Sequence, residues 1–378
     1  MSANGITWVG LDAHKKSINV AVLLPGRAEP LCWQEANEET AVRRLARRLI
    51  REAPGEVRGC YEAGPLGYAL QRELGAQGVV CEVVAPSLIP IRPGERIKTD
   101  WRDARKLAEL LRAGLLTEVQ PPNEADEALR DLCRGRDSVR QDLMRARHRL
   151  SKFLLRRGHR YHDTQRHWGV RHMKWLRLLR FEHAAAQAIF DHYLLAIDHL
   201  DERLRQVDVH LGAFGAEEPY RQSVAWLRCF RGIDTVTAVS LVAELHDFRR
   251  FRSARALMAY LGLVPSEHSS GEQRHQGSIT RAGNRHVRRL LVEAAWHHRH
   301  RPVPSQPLRK RREGQPADVI AIADRAQERL HARFMRMTHR GIHYNKTVVA
   351  MARELVGYLW ATLTPREAES APPATIQS

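Results

Sequence analysis

The chain has 378 residues, with 61 Lys and Arg against 43 Asp and Glu, a formal charge of +18. Two or three domains are expected at this length. So large a basic excess points to a polyanionic partner, nucleic acid before an anionic membrane surface. No apolar run approaches the ~18–20 residues that cross a bilayer, so no membrane role is expected.

The N-terminus enters a strand pattern directly, without a signal-peptide pattern. Cys32, Cys60, Cys81, Cys133 and Cys229 form no CxxC pair, which argues against zinc and disulfides and fits a reducing cytoplasm. Most histidines fall in Arg/His runs such as WHHRHR (296–301), the pattern of solvated basic surface.

Residues 6–24, ITWVGLDAHKKSINVAVLL, predict two strands joined by a polar turn. The second places Ile18, Val20 and Val22 on one face. A third strand is expected over 29–36 and an amphipathic helix, capped by Asn37, over 37–53. A strand over 56–64 and a helix over 65–78 follow, the helix bounded by Pro65 and Gly78. Another strand (79–86) precedes IKTDWRDARKLAELLRAG (97–114), a helix with Asp100 and Asp103 in its first turn. Strand hairpins followed by alternating helix and strand make 1–118 a mixed α/β domain.

Over 119–221 the pattern turns helical. Leu132, Val139, Leu143, Ala146, Leu150 and Phe153 form one heptad seam. Ile189, Tyr193, Ile197, Leu200, Leu204, Val207, Leu211 and Phe214 form a second. A helical hairpin or coiled coil is expected, suited either to dimerisation or to service as a spacer. Between the seams, residues 156–181 are rich in Arg and His and hold Tyr161, Trp168 and Trp175. They suit a nucleic-acid groove, RNA included, or a surface helix with buried rings.

Residues 222–363 predict a mainly α domain. LRCFRGIDTVTAVSLVAEL (227–245) reads as helix, Gly-centred turn, helix, an element like a helix-hairpin-helix. Gly232 there lets the backbone approach a phosphate, although an ordinary turn has the same composition. A helix (253–265), a polar loop (266–284) and a basic helix (285–299) follow. The basic segment 301–316 is expected to be mobile, two more helices come next, and 364–378 reads as a disordered tail.

Four carboxylates carry the chemistry. Asp12 and Glu62 each end a strand; Asp100 and Asp103 share one helical face at i, i+3. Taken singly, strand-end acids are solvated, and acids at a helix start serve capping and the dipole. Taken together they repel unless a cation lies between them. Mg²⁺ takes a few carboxylates plus water and phosphate oxygens, and two such ions stabilise phosphoryl transfer. Strand-tip Asp, strand-tip Glu, then DxxD on a helix resembles the RNase H/RuvC-like nuclease arrangement. The loop 266–284 adds five hydroxyls, Ser266, Ser269, Ser270, Ser278 and Thr280, near Arg274, His275 and Arg281. A serine there could attack a phosphodiester with arginines offsetting its charge; equally, Ser/Gly loops are often only loops.

VGLDAHKKSINVAVL, YEAGPLGYALQRELGAQG and KTDWRDARKLAELLRAG resemble the blocks of the DEDD transposases, bridge-RNA-guided recombinases of a bacterial insertion-sequence family. RCFRGIDTVTAVSLVAEL and ARALMAYLGLVPSEHSSGEQRHQGSITRAGNRHVRRLLVEAAW resemble their C-terminal transposase domain. The resemblance implies an acidic tetrad at Asp12, Glu62, Asp100 and Asp103 holding Mg²⁺, and a nucleophilic serine before a glycine. That position is Ser270, with Ser269 its neighbouring rival. It implies a phosphoserine–DNA intermediate, donor and target DNA, a bridge RNA, a homodimer or tetramer, and a bacterial, nucleoid-associated location. Nucleic-acid contacts are expected from Gly232, Arg274, Arg281, Arg285 and Arg288. The rival readings are a RuvC-like nuclease or junction resolvase without a serine step, and a non-catalytic nucleic-acid scaffold.

Overall fold

A computed structural model describes residues 5–90, 100–163, 167–267 and 276–364. Ser269, Ser270, Gly271, Arg274, His275 and the tail 365–378 lie outside the described residues. The chain divides into two compact units, 1–122 and 123–378.

In the first unit, β1 (Thr7–Ala13), β2 (Ser17–Leu23) and β3 (Leu31–Ala36) form an antiparallel meander. Next come α1 (Glu39–Glu52), β4 (Val57–Glu62), α2 (Ala69–Ala76), β5 (Val80–Val84), α3 (Asp100–Arg112) and β6 (Glu118–Val119). β4 lies parallel to β1 and β5 parallel to β4, in the order β3-β2-β1-β4-β5-β6. This mixed sheet is consistent with the RNase H/RuvC-like expectation. The period-2 alternation of β1 sends its side chains to two layers. Val9 and Leu11 pack with Val42, Leu45, Leu49 and Leu74 of α1 and α2. Trp8 faces the other way, where Cys60 and Val84 meet Leu107 and Leu111 of α3.

The second unit is almost wholly helical. α4 (Glu124–Arg156) begins at Asn123, whose side chain accepts from the Asp126 amide at 2.7 Å. Such a cap satisfies an N–H that the first helical turn leaves open. After α5 (Val170–Leu178), α6 (Ala184–Phe214) returns antiparallel to α4, as the pairs Arg136–Asp208 and Arg147–Asp201 require. There follow α7 (Arg221–Leu227), α8 (Thr235–Leu245), α9 (Ala254–Tyr260), β7 (Pro265–Glu267), β8 (Gln276–Ile279), α10 (Arg285–Ala295), α11 (Gln306–Arg312), α12 (Ala317–His339) and α13 (Tyr344–Leu363). Leu129, Cys133 and Leu211, at the α4 start and α6 end, join the core of α7–α13. No described helix is long and apolar enough to cross a membrane.

Several expectations change. Asn37 does not cap α1: Glu38 takes the cap position, and the Asn37 side chain donates to the His14 carbonyl at 2.7 Å. His298, in a run expected to be solvated, is buried. The α6 seam shifts near its start: Ile189 is exposed while Phe190 is buried against Phe181. The aromatic packing there outweighs the heptad register. Segment 301–316, expected to be mobile, contains α11. Arg312 is buried, donating to the Cys229 carbonyl at 2.9 Å and to Asp324 at 2.7 Å, and Arg311 donates to the Ile233 carbonyl at 2.6 Å.

Candidate active site

Asp12 lies near the C-terminal end of β1, where it pairs with Asn19 of β2. Alternation puts it on the face of Trp8 and Gly10, the face that α3 covers. Gly10 lets α3 come down onto the sheet. A Cβ there would lie 2.0 Å from the Ala104 carbonyl oxygen and 2.5 Å from the Ala108 amide nitrogen. The Cys60 thiol donates to the Leu107 carbonyl at 3.7 Å, fixing the same helix over β4. This close approach holds the first turn of α3, with Asp100 and Asp103, over the end of β1.

His14 completes the arrangement. Its Nε2 lies 3.1 Å from Asp12 Oδ2 and 3.6 Å from Asp100 Oδ2. Ligand atoms of Asp12, His14 and Asp100 all fall within 4.8 Å of one another, close enough to share an ion. Burial raises the Asp12 carboxyl above its ordinary range; Asp100 and Asp103 push it further up, and His14 opposes them. Half-buried negative charge short of counter-charge is what a divalent cation relieves. The oxygen-rich donor set fits such an ion.

Glu62 ends β4 one residue past Tyr61, as Asp12 follows Leu11, and Leu11 and Tyr61 are partners across the parallel strands. Both acids therefore leave the sheet at the same edge. Glu62 is exposed and stands outside the Asp12–His14–Asp100 group. His14 and Gly10 are the residues that sequence reasoning missed. Asp12 and His14 at i, i+2 after a strand was the available signal for His14. Nothing local signals Gly10, because the helix it admits begins 90 residues later.

In the second unit, β7 and β8 pair antiparallel and flank 268–275. Ser266 donates to the Ser278 carbonyl at 3.1 Å, so this hydroxyl ties the two strands. Arg281, at φ +58°, and Gly283, at φ +64°, turn the chain toward α10. Arg288 buckles the turn, donating to the carbonyls of Leu261 at 2.9 Å and Ala282 at 2.8 Å. Burial lowers the Arg288 pKa, and the nearby Arg281 and Arg285 add to the effect. Arg281 and Arg285 are themselves exposed. Gly232 has φ +82°, and a Cβ there would lie 2.4 Å from the Ala294 carbonyl oxygen. Packing of the turn against α10 by itself requires glycine at this position.

Residues 9–157 match the IS110-type DEDD transposase family model, and residues 225–308 match the model for the transposase IS116/IS110/IS902 family. A putative transposase, y4qE, of Sinorhizobium fredii is 41% identical over 94% of this chain and 87% of its own length. The transposase for insertion sequence element IS1533 of Leptospira borgpetersenii is 38% identical over 86% of this chain and 95% of its own. The transposase for IS1328 of Yersinia enterocolitica is 25% identical over 77% of this chain and 83% of its own.

Proposed function

Because the chain belongs to the IS116/IS110/IS902 family of insertion-sequence transposases, enzymes that act on DNA, we propose that it cuts and rejoins DNA through a covalent serine intermediate. The convergence of Asp12, His14 and Asp100 where β1 meets α3 supports the metal-dependent part of this reading; the serine step rests on the resemblance to DEDD transposases. Asp12, Glu62, Asp100 and Asp103 would hold divalent metal, Mg²⁺ by preference for oxygen ligands, with His14 beside them. Bound there, the ion supplies positive charge to the scissile phosphate.

Ser270 is the nucleophile of this reading. Its Oγ attacks phosphorus and loses its proton; the bond to one strand-end oxygen breaks, and that oxygen leaves as a hydroxyl. A hydroxyl of another strand end then attacks the phosphoserine and frees Ser270. One ester bond forms as one breaks in each step, so no nucleotide cofactor is needed. Arg274, Arg281 and Arg285 would offset phosphate charge near the hairpin, and Arg288 would hold its base. Gly232 contributes at the turn before α8. A noncoding bridge RNA would choose donor and target by base pairing, and a dimer or tetramer would bring serine and acids together. The RNA rests on the resemblance to DEDD transposases and on the +18 charge, and the multimer on the resemblance.

The test is a denaturing gel of labelled element-end DNA incubated with protein and Mg²⁺. A protein–DNA adduct lost in Ser270→Ala and kept in Ser269→Ala supports the reading. Free cut ends without adduct favour a metal-dependent nuclease instead.

A further inference from the structure

The turn of the α4–α6 hairpin carries a feature that the chemistry above leaves unused. Residues 156–182 hold eight Lys or Arg against two acids, Asp163 and Glu182. Asp163 is engaged by the Tyr161 hydroxyl at 3.3 Å. Arg156, Arg160, Arg171 and Lys174 are exposed and make no ion pair among the described residues. Arg177 pairs with Asp198 at 3.2 Å, and Arg180 donates to the carbonyls of Arg177 and Leu179.

The aromatic residues between these cations are spent on one another. Tyr161 meets His172 at 4.8 Å and Trp175 at 5.3 Å, and His172 stacks on Trp175 at 5.5 Å. Trp168 packs under the Arg147 guanidinium at 5.3 Å, and its amide donates to His172 Nδ1 at 3.0 Å. These buried or half-buried rings pack on one another and shape the tip, so part of their surface is already engaged. Recognition of single strands depends on free ring faces. Beside the exposed Leu155, Val170 and Leu178, what the tip presents is mostly positive charge, which is how a protein reads a duplex backbone.

We propose that the tip of the α4–α6 hairpin is a docking surface for the phosphate backbone of duplex DNA. The choice of DNA rests on the family, which acts on it, and is independent of the serine step. α6 has 31 residues. At 1.5 Å per residue that sets the tip about 45 Å from the helix end in the C-terminal core. A duplex touching both places would be held more than about ten base pairs from any contact made at that core.

The test measures binding of the full chain to a 40-base-pair duplex of arbitrary sequence across a salt series. The comparison is a quadruple variant, Arg156→Gln, Arg160→Gln, Arg171→Gln and Lys174→Gln. If each residue neutralises one phosphate, the slope of log K against log salt becomes shallower by about 3.6, and affinity at 0.1 M salt falls well over tenfold. A variant with lysine at the three arginines should keep the wild-type slope. Thermal unfolding should be the same in all three proteins, since these side chains make no ion pair among the described residues. An unchanged slope in the glutamine variant overturns the proposal. So does a loss confined to RNA or single-stranded DNA, or a changed oligomeric state with duplex binding intact.

Discussion

The Glu244 carboxylate receives Arg134 Nε at 2.7 Å and Nη2 at 2.9 Å, a two-pronged bond that ties α8 to α4. Asn284, which caps α10 through the Val287 amide, donates to the same carboxylate at 2.7 Å. One buried acid thus joins the helical hairpin, the core and the end of the turn after β8. Burial raises its pKa, yet the bonds from Arg134 and Asn284 outweigh burial and leave it below the ordinary glutamate value.

Glu244→Gln keeps the shape and removes the charge. Breaking a fully buried pair costs about 3–5 kcal/mol; Arg134 is half exposed, so roughly 2 kcal/mol is expected here. Because the folded carboxyl titrates below 4.5, its contribution is present above pH 4.5 and is lost as pH falls through the lower folded value. Urea unfolding at pH 7 and at pH 3.5 should show the gap between wild type and Glu244→Gln narrowing in acid.

His298 is buried, and neither ring nitrogen has a hydrogen-bond partner. Burial, aided by Arg231, His297 and His331, lowers its pKa from 6.5 to about 3. The unfolded chain therefore takes up a proton below pH 6.5 that the folded chain refuses. Stability from this residue falls progressively between pH 6.5 and 3. His298→Leu should flatten that part of the stability profile, read by thermal unfolding at stepped pH. An unaltered profile would mean that the ring is protonated or solvated in the native state.

Gly10→Ala forces a methyl against the α3 backbone. Overpacking of this kind costs roughly 1–3 kcal/mol, and rigid backbone neighbours place the effect at the upper end. Lower stability in urea unfolding, with loss of strand transfer, is expected. Full activity would show that α3 need not seat closely on β1.

The three arginines after β8 should separate by role. Arg281→Ala with Arg285→Ala should make the salt slope of DNA binding shallower by about 1.8, at about 0.9 for each phosphate contact. Arg288→Ala should leave the slope alone while lowering adduct yield, since its guanidinium is spent on the Leu261 and Ala282 carbonyls.

Much of this was legible in local sequence. The apolar run ITWVGLDA and the alternation in SINVAVL marked β1 and β2, and the acids at strand ends and helix start marked the candidate site. Gly10 and Gly232 were not legible as packing residues, because each is required by a backbone far along the chain, Ala104 and Ala294. The rings of 161–175 suited either base stacking or a buried face, because composition does not reveal that Tyr161, His172 and Trp175 pack on one another. The order of 301–316 depends on carbonyls at Cys229 and Ile233, more than 70 residues away.

The proposed chemistry needs one cation site where the end of β1 meets the start of α3. Crystals soaked in Mn²⁺ and measured at its absorption edge would reveal it. An anomalous peak bonded to the carboxylates of Asp12 and Asp100, absent in Asp12→Asn, is expected. Active protein with no metal at that place would rule the site out.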